Sequence, residues 1–433
     1  MKKLALLLCL CLVAGFAVPA MAADAPFTLR YMTGSTGDMW IAEQQVIANF
    51  EAANPDVKVE ATVVAGTADF VTALKTKFAA GEQPDVFNFQ GGNRTIEFAR
   101  AGRLMDITDQ PFMKRQYDAD KTLNTYQGRT YAFALDYQCT GLWINMDAIT
   151  EYVPDFTVDQ APKCFPELMD LCKKLRDGGL ENPLLCAGKD INNVSQVDFQ
   201  YLATVVWYNN PAYYLEMLKG ERHFNDQFIR DMFDKYGQMR EYMSEDCLGV
   251  DNDEAIKRFI RGDGALWVAH GNTITRLREM DPELNCVMVP SIFVDKPEDQ
   301  VFNIGVCNSI QIVSDTKNPD ACLRFVDHYT SEESARIMVQ TGKIFSAVKG
   351  VEEAPDPAFE PCLPWLGSDR RIGHADLVWI AGIKDVMKQV TQKWFLGDPL
   401  DDVLNEWESQ HQALMAADPT YVEEYIAANS AQS

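Results

Sequence analysis

Residues 128–147 read GRTYAFALDYQCTGLWINMD and contain two apolar runs, 131–135 and 141–145, separated by polar residues. Both runs have the continuous apolar character of buried strands rather than the alternation of half-exposed strands. We interpret the intervening bend at 136–140 as the point where the chain leaves one lobe and enters another. Polar side chains at such a crossing face a cleft, where ligands usually bind. A single sheet with an ordinary loop explains this stretch equally well, so the rest of the chain has to decide.

Chain length and composition favour a globular protein of two lobes. The 433 residues are too many for one compact core but suit two units of ordinary domain size. Hydrophobic residues make up 47% of the chain, and the formal net charge is −24. Such a charge argues against nucleic acid or an anionic membrane surface as a partner.

The N-terminus has the features of a secretory signal peptide. Lys2 and Lys3 supply the positive charge, residues 4–18 are apolar but shorter than the ~20 residues that span a bilayer, and the sequence AMA ends at Ala22. We predict cleavage after Ala22, so that 1–22 is a signal peptide and the mature protein is periplasmic. The cysteines of this segment lie inside the apolar run rather than at the cleavage point, so no lipoprotein is expected.

Nine cysteines follow the signal peptide, at positions 139, 164, 172, 186, 247, 286, 307, 322 and 362. In an oxidising compartment some cysteines pair, so we expect one or two disulfides, and the odd number leaves at least one thiol over or bridging to another chain. The sequence contains no C-x-x-C motif and no Cys/His cluster with zinc spacing. No structural metal and no cofactor is therefore expected.

The hydrophobic pattern predicts two series of alternating strands and helices. The first series has three strands with helices between them, at 28–32, 57–64 and 84–89. The second follows the crossing and includes the strand GALWV at 264–268. Such alternation is typical of α/β proteins with parallel sheets flanked by helices. Ligands collect beyond the carboxyl ends of parallel strands, which points to the loops at 33–38 and 88–94.

The order of six motifs resembles that of the extracellular solute-binding proteins of ABC importers, the family that contains maltose-binding protein and other sugar binders. The motifs are FEAANPDVKVE, AAGEQPDVFNF followed by AGRLMDIT, GRTYAFALDYQCTGLWINMDAI, FPELMDLCKKLRDGG, FIRGDGALWVAHGN, and NIGVCNSIQIVSDTKNPDACLRFVDHYTSEESAR. Each motif alone is weak evidence, but six in the same order over nearly all of the mature chain are a specific signal.

The resemblance implies two α/β lobes, each a mainly parallel sheet flanked by helices, joined by strand crossings and enclosing a ligand. It places lobe 1 at 23–137 plus 291–331 and lobe 2 at 138–290 plus 332–433. The expected protein is a monomer and not an enzyme. It captures a small carbohydrate or polyol by hinge closure and delivers it to the permease subunits of an ABC transporter in the inner membrane.

The resemblance also implies which residues contact the ligand. In lobe 1 and at the crossing these are Gly34, Ser35, Thr36, Asp38, Phe89, Gln90, Asn93 and Gln138. In lobe 2 and near the C-terminus they are Gln196, Asp198, Phe199, His270, Gly271, Asn272, Thr273, Arg370, Arg371 and Trp379.

The chemistry of this set suits a small sugar. A sugar offers C–H faces that pack on aromatic rings and hydroxyls that need paired donors and acceptors. This chain departs from the family at Thr273, where a Trp is frequent, and at Phe89, where some maltodextrin binders have Trp. With fewer stacking platforms, a monosaccharide, a disaccharide or a polyol is easier to accommodate than an oligosaccharide.

Other interpretations stay open at this point. The aromatic candidates also fit hydrophobic core positions, and Asp38 also fits a helix cap. The same scaffold suits a polyamine or another cation drawn by acidic residues, or an organophosphate drawn by Arg370 and Arg371. A secreted glycosidase needs two carboxylates across a cleft. The sequence contains no G-x-S-x-G, H-E-x-x-H, P-loop or G-x-G-x-x-G motif, which makes an enzyme the weakest of these hypotheses.

Overall fold

The structure, a computed structural model, describes residues 26–375 and 379–430, except for the side chains of residues 67 and 68. The signal peptide predicted at 1–22 lies outside the described residues. Strands β1 to β14 are, in chain order, Phe27–Thr33, Val57–Val63, Val86–Gln90, Thr125–Tyr126, Arg129–Thr130, Ala132–Ala134, Asp136–Asn145, Leu184–Leu185, Leu266–His270, Cys286–Val289, Phe302–Val306, Asn308–Ile312, Phe345–Ser346 and Arg371–Ile372.

The helices alternate with these strands and end where the local sequence stops them. Helix Asn252–Arg261, for example, begins where the side chain of Asp251 accepts a hydrogen bond from Glu254 N at 3.0 Å, and it ends at Gly262 with a φ of 77°. Helices α1 to α18 are Gly37–Ala53, Thr67–Ala80, Asn93–Arg100, Asp118–Leu123, Met146–Tyr152, Phe165–Asp177, Ile191–Val194, Gln196–Tyr201, Tyr213–Leu218, Gln227–Arg240, Asn252–Arg261, Thr273–Met280, Pro319–Tyr329, Glu332–Gln340, Leu363–Leu366, Ile383–Leu396, Leu400–Ala417 and Pro419–Asn429.

The first sheet has the strand order β2-β1-β3-β12-β6. Strand β1 pairs in parallel with β2 and β3, as the β-α-β alternation of the sequence predicts. Strand β12 runs antiparallel to both of its neighbours, β3 and β6, so it is the one strand of opposite direction in this sheet.

The second sheet is built on the long strand β7. Its order is β14-β11-β7-β9-β8, with β10 and β13 also paired to β7. Every partner of β7 runs antiparallel to it, so these partners run parallel to one another. The two sheets are therefore mainly parallel, with one reversed strand in each. The bend predicted at 136–140 is wrong, because β7 is continuous from Asp136 and pairs at Asn303↔Thr140 with β11.

The two reversed strands are also the strands that connect the sheets. Residue 135 alone separates β6 of the first sheet from β7 of the second, and Cys307 alone separates β11 from β12. The crossings are tied together, because the carboxylate of Asp136 accepts hydrogen bonds from Asn308 N at 3.0 Å and from Asn308 Nδ2 at 2.9 Å. Burial raises the pKa of Asp136 to about 6, although both of these hydrogen bonds act to lower it.

Each sheet has its own hydrophobic core. In the first, Phe50 of α1 meets Phe325 of α13 with ring centroids 5.1 Å apart, and α14 packs into the same core. In the second, Trp379 stacks on Tyr214 at 4.6 Å. Each buried aromatic ring contributes about 1.5–3 kcal/mol to folding. Helix α14 packs in the core of the first sheet, and β11 pairs in the second sheet. The lobe boundaries expected from the sequence place α14 in lobe 2 and β11 in lobe 1, and those boundaries stay a prediction.

The expected disulfides are absent from the nine cysteines of the described chain. All nine are in the thiol form, and all but Cys307 are buried. Cys139, Cys172 and Cys322 lie among aliphatic and aromatic side chains of the cores, where a thiol acts as a small hydrophobic group. The prediction of one or two disulfides is therefore wrong for the described residues, in which the buried thiols pack as small hydrophobic groups.

None of the helices within 26–375 and 379–430 is both long enough and apolar enough to cross a membrane.

Candidate functional site

A cavity lies where the two sheets meet. It is lined by Gln90, Gln138, Phe199, His270, Cys307, His374 and Lys384, and the space between them, including the open mouth, is about 310 Å³. A neighbouring cavity of about 250 Å³ shares Phe199 and Lys384 and is otherwise mostly apolar.

Strand ends place four of the lining residues. Gln90 is the last residue of β3, and His270 is the last residue of β9. Gln138 lies near the start of β7, and Cys307 lies between β11 and β12. The carboxyl ends of β3 and β9 thus face the crossings, which is where ligands bind in open α/β sheets.

The second sheet's helices supply the remaining wall. Phe199 lies on α8, and Lys384 is the second residue of α16. The ammonium nitrogen of Lys384 is 5.2 Å from the centre of the Phe199 ring. His374 meets that ring edge-on, with centroids 5.8 Å apart and planes at 90°. The Phe199 ring, which is the aromatic face of the cavity, is therefore in contact with both the Lys384 ammonium group and the His374 imidazole.

His270 is a strongly perturbed titratable group of the cavity. Its pKa lies well below the ordinary value, first because of burial and then because of the charges of His374, Lys384 and Lys388. Gln138 Nε2 lies 2.9 Å from Nδ1 and 2.6 Å from Nε2 of His270. His270 is therefore neutral at physiological pH, with both a donor and an acceptor nitrogen to offer.

Gln138 connects this imidazole to the crossing. Its Oε1 accepts a hydrogen bond from Cys307 Sγ at 3.0 Å, while its Nε2 faces His270. A movement of one crossing strand against the other therefore shifts the polar groups of the cavity directly.

The loop after β1 is fixed by hydrogen bonds to the buried carboxyl group of Glu43. Glu43 accepts hydrogen bonds from Ser35 Oγ at 2.7 Å, Asn88 Nδ2 at 2.8 Å, Thr33 Oγ1 at 3.1 Å and Tyr31 OH at 3.2 Å. Burial raises the pKa of Glu43, and the hydrogen bonds oppose that rise. This network fixes the position of the loop that carries Gly34 to Asp38.

The structure brings together several residues that the resemblance assigned to the ligand. Gln90, Gln138, Phe199 and His270 share the cavity. Trp379 lines the neighbouring cavity, and its carbonyl accepts a hydrogen bond from Asn93 Nδ2 at 3.1 Å. This hydrogen bond joins α3 of the first core to the second core.

Other predicted residues of the first lobe lie elsewhere. Ser35 is buried against Glu43, and Phe89 is buried with its ring stacked on Phe70 at 4.2 Å. Gly34 is half-buried beside these two phenylalanine rings. Thr36 and Asp38 are exposed at the start of α1.

Predicted residues of the second lobe also have partners away from the cavity. Gln196 Nε2 donates to the carbonyl of Asn192 at 2.7 Å, and Asp198 Oδ2 accepts from Thr391 Oγ1 at 2.5 Å. Gly271 is buried beside Cys139 Sγ, where an added Cβ would approach that sulfur to 2.5 Å.

The remaining predicted positions are at the surface or in ion pairs. Asn272 is exposed, and Thr273 begins α12. Arg370 donates to the carbonyl of Glu298. Arg371 lies 3.4 Å from Asp120 Oδ1 and sits over the ring of Tyr137 at 4.8 Å, in a largely buried arrangement that joins β14 to α4.

Three lining residues were not predicted from the sequence: Cys307, His374 and Lys384. The sequence FNIGVCNSIQIV contained a signal for Cys307, because this apolar run is longer than an ordinary strand. The structure divides it into two strands, and Cys307 lies between them. His374 and Lys384 have no sequence signal, because they meet the cavity only through the fold. Over the residues that the structure describes, no group of three or more His, Cys, Asp or Glu side chains is arranged to hold a metal ion.

Comparison with known proteins gives consistent results. Residues 45–364 match the model of a family described as bacterial extracellular solute-binding protein. Among curated proteins, the chain is similar to the multiple sugar-binding protein of Streptococcus mutans. The identity is 22% over 340 residues, which cover 76% of this chain and 77% of the relative.

Solved structures show the same fold. The apo-form of RafE from Streptococcus pneumoniae has a TM-score of 0.76 at 19% identity and covers 90% of this chain and 98% of its own. The binding protein MsmE from Bacillus subtilis subsp. subtilis strain 168, in an open conformation, has a TM-score of 0.77 at 16% identity, with coverage of 91% and 99%. The predicted two-lobed α/β fold is thus confirmed.

Proposed function

The chain belongs to the family of bacterial extracellular solute-binding proteins, and on that premise we propose that it captures a small carbohydrate for an ABC importer. The relative from Streptococcus mutans is named a multiple sugar-binding protein, and RafE is known in complex with raffinose. The observation that carries the proposal is the cavity at the junction of the two sheets, to which both cores contribute side chains.

The groups lining the cavity suit a sugar. Gln90 and Gln138 each offer an amide with both donor and acceptor atoms, and His270 adds a neutral imidazole. Phe199 supplies an aromatic face for the C–H groups of a pyranose ring. A hydroxyl left without a partner in such a site costs about 1–3 kcal/mol, which provides selectivity among epimers.

The proposed mechanism is closure of the two lobes around the solute. Sugar bound to one lobe gains the contacts of the other only when they approach, so binding shifts the population toward the closed form. The hydrogen bond from Asn93 to the carbonyl of Trp379 is a contact of this kind between the two cores. With Phe199 as the one phenyl ring among its described lining residues, the cavity offers few stacking platforms, which favours a monosaccharide, a disaccharide or a polyol.

The partner and the location are part of the same proposal. We place the mature protein in the periplasm as a monomer that starts after Ala22, carries no lipid and docks on the permease subunits of the importer. We propose no catalytic role. The organophosphate alternative loses its support at Arg370 and Arg371, since both have partners outside the cavity.

Calorimetry with a matched pair of variants tests the carbohydrate assignment. We expect at least one member of a panel of monosaccharides, disaccharides and polyols to bind, and F199A to weaken that binding by about tenfold through loss of the aromatic face. F228A is the control, because Phe228 is 45% exposed and lies on α10 away from the cavity. If no member of the panel releases heat, or if both variants bind like the wild type, the proposal is wrong.

A further inference from the structure

Two polar groups of the cavity wall are attached to the strand crossings. Gln138 lies near the start of β7, and Cys307 lies between β11 and β12. Cys307 Sγ donates a hydrogen bond to Gln138 Oε1 at 3.0 Å, so these two wall residues keep their relative positions while the crossings keep their register. Whatever holds the crossings together therefore also sets this part of the cavity.

The carboxyl group of Asp136 holds the crossings together. It belongs to the first residue of β7, and it accepts hydrogen bonds from Asn308 N at 3.0 Å and from Asn308 Nδ2 at 2.9 Å. The carbonyl of Asp136 accepts a third hydrogen bond, from Cys307 N at 3.0 Å. Because side chains alternate along a strand, Asp136 is on the same face of β7 as Gln138. One residue is thus connected to both of these wall residues.

The strength of this connection depends on the ionisation of the carboxyl group. Burial raises the pKa of Asp136 to about 6; the hydrogen bonds from Asn308 act against that rise, and the charge of Glu43 on α1 adds to it. Ser346 of β13, which pairs with Asp136, is uncharged. The ionised carboxylate accepts charge-assisted hydrogen bonds on both oxygens. Protonation converts one oxygen into a hydroxyl group, which accepts more weakly.

We propose that Asp136 is a positioning residue of the cavity, whose ionised form keeps the wall in its binding geometry, so that mild acid weakens the capture of solute. This inference rests on the proposed function and adds regulation by pH to the same site. If the solute-bound form requires the ionised carboxylate, binding near pH 6 releases protons. Affinity is then highest above pH 7 and falls as the pH decreases through 6.

Isothermal titration with glucose, galactose, sucrose and sorbitol tests this dependence, because none of these neutral probes titrates between pH 5 and pH 8. For the probe that binds most tightly, we expect the dissociation constant of the wild type to rise by about three- to tenfold from pH 7 to pH 5. Tenfold is about the limit for linkage to one proton with a pKa of about 6. Titrations at pH 6 in buffers of different ionisation enthalpy should show release of up to about half a proton per solute.

Two variants and a matched control assign the effect to Asp136. D136N has no ionisable group at this position, so we expect the same affinity at pH 5 and pH 7, close to that of the wild type at pH 5. N308A removes one donor, so the midpoint of its pH dependence should move to higher pH. D356N is the control. Asp356 also accepts hydrogen bonds with both oxygens, but from Arg278 of α12, at 2.9 Å, and we expect D356N to keep the pH dependence of the wild type.

Hydrogen exchange of the solute-free protein gives a readout that does not depend on a sugar. After correction for the intrinsic exchange rate, we expect the backbone amides of 303–310 to be less protected at pH 5 than at pH 7 in the wild type. In D136N, their protection should be the same at both pH values.

The outcomes separate this inference from the proposed function. Equal affinity of the wild type at pH 5 and pH 7, or a pH dependence that survives in D136N, overturns the inference and leaves sugar binding intact. If D136N does not fold, an unshifted midpoint in N308A overturns it. Absence of heat with every probe overturns the proposed function, and hydrogen exchange then decides alone whether ionised Asp136 holds the crossings.

Discussion

At the scale of single residues, Asp198 shows how the interior of this protein controls ionisation. Its side chain is fully buried on α8, one position before Phe199, and its Oδ2 accepts a hydrogen bond from Thr391 at 2.5 Å. Burial raises its pKa well above the ordinary value, because the charged form would lose its hydration. The folded protein therefore holds this carboxyl group protonated, at the position next in sequence to the cavity-lining Phe199.

We predict that D198N stabilises the protein at pH 7 and leaves its stability nearly unchanged at pH 4. A raised pKa in the folded state means that the stability contributed by Asp198 is present below the unfolded pKa and is lost as the pH rises. The substitution removes that loss, so we expect the free energy of unfolding at pH 7 to increase by about 1 kcal/mol. Urea unfolding at both pH values measures it.

Asp246 is the matched control, because its pKa is shifted in the opposite direction. Arg258, at 2.7 Å, lowers the pKa of Asp246, so its contribution is present at neutral pH and lost in acid. D246N should therefore lower stability slightly at pH 7. A D198N variant that is equally destabilised at both pH values would show that Asp198 is not protonated in the folded state.

At the scale of secondary-structure elements, the hydrogen bonds between Asp136 at the start of β7 and Asn308 at the start of β12 determine how the two sheets are joined. The carboxylate accepts both the backbone N–H and the side-chain amide of Asn308, at the point where both crossing strands begin. Cys307 N also donates to the carbonyl of Asp136 at 3.0 Å. Only one residue separates the two strands of each crossing, so neither crossing contains a flexible linker. These hydrogen bonds therefore act directly on the point about which the lobes would pivot.

We predict that N308A destabilises the protein more at pH 8 than at pH 5. Above its pKa of about 6, Asp136 is a buried anion that needs both donors, whereas at pH 5 it is mostly protonated. Loss of a hydrogen bond to a charged group costs about 1.5–3 kcal/mol at pH 8. Urea unfolding at the two pH values measures the difference.

Asn318 provides the comparison for this test. Its side chain caps α13 by accepting a hydrogen bond from Ala321 N at 3.1 Å, so N318A should cost about 1 kcal/mol at either pH. Equal losses for N308A at pH 5 and pH 8 would contradict the role given to the Asp136 carboxylate.

At the scale of the whole molecule, the C-terminal helix joins the two cores. Glu424 of α18 lies 3.4 Å from Arg100 of α3 and accepts a hydrogen bond from Tyr126 OH at 2.9 Å. Asp418, just before α18, lies 3.5 Å from Arg100. Helix α18 packs on the second core, whereas α3 belongs to the first, so these polar contacts exist only while the lobes are together.

We predict that E424Q weakens solute binding by about two- to fivefold, mainly by faster dissociation. Partly exposed ion pairs contribute about 0.2–1 kcal/mol, and this one favours only the closed form. Stopped-flow dissociation of the bound solute measures the rate. E423Q is the control, because Glu423 is the exposed neighbour on the same helix. If both variants release solute at the same rate, α18 does not hold the lobes together.

The sequence predicted the fold well because its signals are local. The Val-rich strand β2 and the β-α alternation from residue 27 to residue 90 follow from hydrophobic periodicity. The site was less predictable because its wall combines distant residues. His374 and Lys384 meet His270 through tertiary packing, and no spacing in the sequence indicates that meeting.

The wrong predictions also have physical causes. A polar segment at 136–140 suggested a bend, but β11 supplies its backbone with hydrogen-bond partners, so it remains a strand. Cysteine number and compartment suggested disulfides, but the nine thiols of the described chain are unpaired and eight of them are buried. In both cases, tertiary packing that the local sequence does not show determined the outcome.

The distribution of the thiols makes this protein suited to optical sensing. Eight of its nine described cysteines are buried, and Cys307 alone is half-buried, at the pivot and on the wall of the cavity. A maleimide dye therefore attaches selectively at one place without any cysteine first being replaced. A solute in the cavity should slow that reaction, so the rate at which the dye is incorporated reports the occupancy of the native polypeptide.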